Sequence, residues 1–155
     1  MKKMLPYLFA IPVLLFAQSC SKGVLLPDGQ FQTANITGTW VLSETAENNG
    51  SGWTYFSTGL DKGVFTFYSN SAARYEDGYS QLNGNWDVQT LSGGYYDRYG
   101  DFHNDVHQSL RIHVEDRYTN NSINLYFDDV VIASGNIIAT SYSSHTVTRY
   151  IFRRY

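Results

Sequence analysis

From residue 35 onward apolar and polar side chains alternate with period two, and turn-forming residues interrupt the alternation roughly every ten residues. Alternation of this kind puts successive side chains on opposite faces of an extended strand. No window carries an apolar stripe at helical spacing over three turns. The pattern therefore predicts an all-β domain over residues 35–155.

The clearest strand is Ile36-x-Gly38-x-Trp40-x-Leu42, with Thr37, Thr39 and Val41 on the other face. A polar loop follows at 47–52, and 53–57 form a short strand or a lid segment. Strands at 64–68 and 72–76 are joined by Ser69-Asn70-Ser71, and Asp77-Gly78 is a hairpin turn. Residues 81–89 repeat the first pattern as Leu82-x-Gly84-x-Trp86-x-Val88, and 92–101 read as a Gly/Tyr-rich loop. Further strands are predicted at 106–115, 123–127, 130–133, 137–141 and 146–154. About eight strands suit an antiparallel up-and-down barrel, a size that side chains fill or that holds one small ligand. Closure would also remove exposed sheet edges.

The amino end follows a different rule. Lys2 and Lys3 precede thirteen mostly apolar residues, 5–17. That is too short for a membrane-spanning helix, which needs roughly 20, and predicts a secretion signal. The stretch ends in Phe16-Ala17-Gln18-Ser19-Cys20, which resembles the lipobox of bacterial lipoproteins. The resemblance implies that residues 1–19 are removed and that Cys20 becomes an acylated N-terminus, making the lipid bilayer a partner. Two or more acyl chains give stable anchoring. Ser21 after the cysteine resembles the pattern of lipoproteins sorted to the outer membrane. With no acidic run behind it, the expected location is the periplasmic face. Residues 20–34, with Gly23, Pro27 and Asp28-Gly29, read as the lipidated N-terminus and its tether.

Composition narrows the choice. Cys20 is the sole cysteine, which excludes an intramolecular disulfide framework and a Cys-rich zinc site. Losing Lys2 and Lys3 from 11 basic residues leaves nine against 14 acidic ones, a balance of −5. Such a domain carries no nucleic-acid footprint. Aromatics make up 16 % of the chain and supply the apolar surface a disordered chain lacks.

An N-terminal Gly38-x-Trp40 strand and basic residues on the closing strand resemble the lipocalins, in which an Arg stacks on that Trp. The resemblance implies that Trp40 plugs a barrel end and that Arg153 or Arg154 covers it. With its size, its lipobox, its Thr66-Phe67-Tyr68-Ser69-Asn70 hairpin and its second Gly84-x-Trp86 element, the chain is similar to the small lipocalin-like lipoproteins of Gram-negative bacteria. The likeness covers 35–155. Trp40 and Trp86 equally serve as core filling, since Trp is a largely buried residue.

Other chemistry is sparse. Asp101-x-His103-x-Asp105-x-His107 would share one face of an extended strand, neighbours about 6.8 Å apart, and an adjacent pair could chelate a metal. A full site would also need His113 and Glu115, and the segment around Gly100 and Asn104 reads as a solvated loop. No metal or cofactor is expected. No Gly-x-Ser-x-Gly elbow occurs, and no enzyme is expected. Trp53, Tyr95, Tyr96 and Tyr99 form the candidate ligand loop, in the Tyr/Gly/Ser style of binding loops. The function expected is a membrane-anchored, non-catalytic barrel binding a small apolar ligand in the periplasm. The alternatives are a filled barrel acting through protein contacts, as an accessory or inhibitor, and a glycan-binding lipoprotein that stacks sugars on those four rings.

Overall fold

The computed structural model describes residues 33–155. Cys20, the expected signal and most of the expected tether lie outside them. Ten strands form one antiparallel sheet: β1 (Gly38–Asn48), β2 (Trp53–Tyr55), β3 (Val64–Phe67), β4 (Ala72–Glu76), β5 (Gln81–Tyr96), β6 (Phe102–Asp116), β7 (Asn121–Phe127), β8 (Asp129–Ala133), β9 (Asn136–Ser143) and β10 (Thr146–Arg154). A 3₁₀ turn, Leu60–Lys62, links β2 to β3.

The strands run β7-β6-β5-β4-β3-β1-β10-β9-β8, with β2 paired to the end of β1. Neighbours in space are neighbours in sequence except at β1–β3, where β2 and the 3₁₀ turn intervene, and at β1–β10, where the first and last long strands pair. The sheet is not closed, because no ladder joins β7 to β8 among the described residues. Ten strands replace the expected eight or so. All ten fall on segments whose pattern predicts a strand, and Trp53–Tyr55, one of the two readings for 53–57, is among them, pairing Asn48, Glu47 and Ala46.

The sheet curls around one apolar interior. Trp40, Phe65, Phe67, Phe127 and Phe152 are fully buried, with Ile36, Leu110, Ile112 and Ile137 beside them. Rings contact one another across it: Phe65 meets Phe152 edge-on at 5.7 Å, and Phe127 reaches from β7 to Tyr150 and Phe152 of β10 at 5.1 and 6.3 Å. Edge-to-face pairs of this kind contribute about 0.5–1.5 kcal/mol each beyond burial. Ala34 N–H donates to Gln108 Oε1 at 2.7 Å, so the chain is already held one residue before the expected start of the domain.

Residues 92–101 are not a loop. β5 continues to Tyr96, where Gly93, Gly94, Tyr95 and Tyr96 pair with Asp105, Asn104, His103 and Phe102. Strand-favouring rings on both partners outweigh the glycines here. The turn itself is confined to 97–101. Asp97 Oδ1 accepts from the backbone of Tyr99 and Asp101, as short polar side chains do in turns. The expected solvated loop around Asp101, His103, Asp105 and His107 is corrected for the same reason. His103, Asp105 and His107 belong to β6, and Asp101 closes the turn before it.

The overhanging tip of this hairpin straps down on the sheet's second face. Thr140, Val147 and Arg149 alternate with the core residues Ala139, Tyr150 and Phe152, so they stand opposite the main core. Thr140 Oγ1 donates to Tyr96 O at 2.8 Å, and Arg149 Nη1 donates to Arg98 O at 3.1 Å. Beneath the strap Ala46, Tyr95 and Val147 are buried outside the main cluster.

Candidate functional site

The two Gly-x-Trp elements occupy different places. On β1, Trp40 pairs with Arg154, whose guanidinium carbon lies 4.7 Å from the indole centre. Trp40 Nε1 donates to Ile36 O at 2.7 Å. Gly38 is required here: its φ is +134°, and a Cβ would run into the Arg154 guanidinium. Arg153 pairs with Val41 on the opposite face and is exposed. The stack implied for Arg153 or Arg154 thus falls to Arg154.

On β5, Gly84 lets β6 come close. A Cβ there would strike the His113 carbonyl and lie 2.9 Å from Val114 Cα. Trp86 is half-buried, 6.0 Å edge-on to Phe67, and its Nε1 donates to Tyr68 O at 3.0 Å. Each indole has its own hydrogen-bond acceptor, and Trp86 packs against the core cluster that contains Trp40.

The expected ligand loop is dispersed. Tyr95 is 5 % exposed and stacks on His107 at 4.3 Å. Burial and a hydrogen bond to Asp105, with the charges of Asp129 and Asp97, push its phenol well above the ordinary value. Tyr96 stacks on Tyr142 at 4.4 Å. Tyr99 is exposed, with Arg98 over its ring at 4.9 Å. Trp53 is covered by Arg149 at 4.3 Å, and Gly100 of the strap packs close to it. Of the four only Tyr99 is largely exposed, and Arg98 lies over one face of its ring.

The His/Asp row has internal partners. Asp97, 3 % exposed, meets His103 Nε2 at 3.0 Å through the oxygen its turn leaves over. Among the described residues no group of three or more His, Cys, Asp or Glu is arranged to hold a metal ion.

A different concavity is present. A β-bulge between Leu42 and Glu44 shifts the β1–β10 register. Bulges recur where a strand must re-aim a side chain. Beside it, Leu42, Glu44, Tyr55, Phe56, Ser57 and Asp61 line a groove of about 280 Å³. Tyr55 and Phe56 are 63 % and 40 % exposed. Phe56 N–H donates to Thr45 O at 3.1 Å, which ties the aromatic pair to β1. Ser57 Oγ donates to Asp61 at 3.0 Å, and Glu44 is paired with Arg149 at 3.1 Å. Hydrogen bonds from its own backbone and from Ser57 hold the Asp61 carboxyl below its ordinary range. Period-two patterning marks 53–57 only as a short strand or lid segment and gives no sign of the bulge, which depends on the pairing of β1 with β10. The short apolar run after Trp53 was the one available signal.

No protein-family model matches the chain, and neither the curated proteins nor the solved structures hold a match to it. Among the described residues no helix is long and apolar enough to cross a membrane.

Proposed function

We propose that this chain is an exported, lipid-anchored and non-catalytic binding module of the cell envelope. Its curled sheet is a lipocalin-like barrel with a seam between β7 and β8, and it recognises its partner on its outside. The anchor is Cys20, acylated in the outer membrane and facing the periplasm. The lipobox-like 16–20 segment supports this part of the reading. The strand order, consecutive around the sheet with β1 beside β10, and the Arg154–Trp40 stack support the lipocalin likeness.

One observation favours external recognition over ligand carriage. The space a small apolar ligand would need is crossed by Phe65, Phe127, Phe152 and their neighbours, each ring in contact with another. Cores packed in this way leave few voids larger than a water molecule. The filled-barrel alternative is therefore preferred to the cup.

Native mass spectrometry of the protein, gently extracted from membranes, tests the proposal. The expected species is the chain from Cys20 onward carrying only its acyl groups. A soluble unacylated form would overturn the anchor. A stoichiometric co-purifying apolar molecule would overturn external recognition.

A further inference from the structure

We infer that the groove beside the β1 bulge is a saccharide-binding site, sized for about one pyranose ring. The inference deepens the external-recognition reading and rests on it.

The groove combines the two chemistries a sugar ring presents. A pyranose has an apolar C–H face, and the exposed aromatic residues Tyr55 and Phe56 line the groove where it would be received. Its rim of hydroxyls needs acceptors, and a carboxylate accepts hydroxyl hydrogen bonds more strongly than a neutral group does. Asp61 is exposed, is held in its ionised form, and is oriented by the Ser57 hydroxyl. Glu44, next to the bulge, also lines the groove.

Charge argues against a cationic guest. Glu44 is already answered by Arg149 at 3.1 Å, and Asp61 has Lys62 beside it. Two acids set against two cations leave a polar but nearly neutral groove. A wholly apolar guest is disfavoured too, because it would strip water from the Asp61 carboxylate without replacing its hydrogen bonds. The volume, about 280 Å³, lies just below the range typical of drug-sized ligands and fits a single ring. The platform is also rigid enough to matter: Phe56 N–H is fixed to Thr45 O, so little ordering is left for binding to impose.

The test is a titration of the isotope-labelled mature protein, followed by amide chemical shifts, with methyl glucoside, methyl galactoside and N-acetylglucosamine as probes. At least one should give saturable shifts confined to residues 42–45 and 55–61. Phe56→Ala and Asp61→Asn should each weaken that binding by about tenfold or more, equivalent to 1.4 kcal/mol. Tyr118→Ala, a fully exposed ring elsewhere, should leave it unchanged. Absence of saturable shifts with all three sugars would overturn the saccharide assignment. So would a response to n-butylamine at the same residues that exceeds the response to any sugar. Shifts centred on Trp40, Phe65 and Phe152 would instead refute external recognition itself.

Discussion

Arg154 lies over Trp40, 4.7 Å from guanidinium carbon to ring centre, while Gly38 leaves the space that the guanidinium occupies. The contact joins the first and last long strands at one end of their ladder, where Arg154 also donates to Thr37 O at 3.3 Å. Arg154→Ala should lower stability by about 0.5–2 kcal/mol, the usual span for a cation–π contact. Arg153→Ala, on the other face, should stay within about 0.5 kcal/mol of the parent in urea denaturation. Equal losses at the two positions would contradict the stack.

Arg149 ties three segments together: Glu44 of β1, Trp53 of β2 and the Arg98 carbonyl of the strap. Arg149→Met keeps the side-chain stem and removes the charge. It should cost about 1–3 kcal/mol, because Glu44 is left half-buried without its cation. Hydrogen exchange at residues 97–101 should accelerate more than at the centre of β5. Unchanged protection at the strap would show that Thr140 and the Tyr96–Tyr142 stack hold it alone.

Gly84→Ala sets a methyl against the His113 backbone, which cannot swing aside as a side-chain tip can. The two strands must separate locally, at about 1–3 kcal/mol. Gly78→Ala, where a Cβ would meet nothing within 4 Å but φ is +84°, isolates backbone strain as a control. Thermal melts of the two variants compare the effects directly.

Stability should fall at both extremes of pH. Burial raises the phenols of Tyr95, Tyr75 and Tyr150 above their ordinary 10.0. The folded state then holds protons that the unfolded chain releases, so stability is complete below pH 10 and declines as pH rises past it. Tyr95→Phe should flatten that alkaline limb while costing about 1 kcal/mol at neutral pH through the lost hydrogen bond. Asp61, Asp77 and Asp116 are lowered below 3.8, chiefly by hydrogen bonds they accept. Their contribution is present above that value and fades as pH falls through it. Denaturation curves across pH would check both limbs.

Much of the fold is legible along the chain because its cause is local. Trp40 and Leu42 alternate inward, Asp77-Gly78 turns a hairpin, and of Arg153 and Arg154, both open as the cover of Trp40 in the sequence, the structure uses Arg154. What was misread depends on distant partners. Residues 92–96 have the composition of a loop and become a strand because 102–106 lie opposite them. Tyr95 turns inward only because the strap lands on the face bearing Thr140 and Arg149. The groove is less visible still. It needs the bulge at Leu42/Glu44 and the chain crossing at 55–61 to come together, and period-two patterning reports neither event.

A filled interior is the claim on which external recognition depends. Its most direct test is titration of the purified protein with a fluorescent fatty acid, followed by competition with unlabelled fatty acid. No saturable, competable binding is expected, because rings from β3, β7 and β10 already occupy the space. Stoichiometric binding that the unlabelled acid displaces would contradict it and restore the ligand-carrying cup.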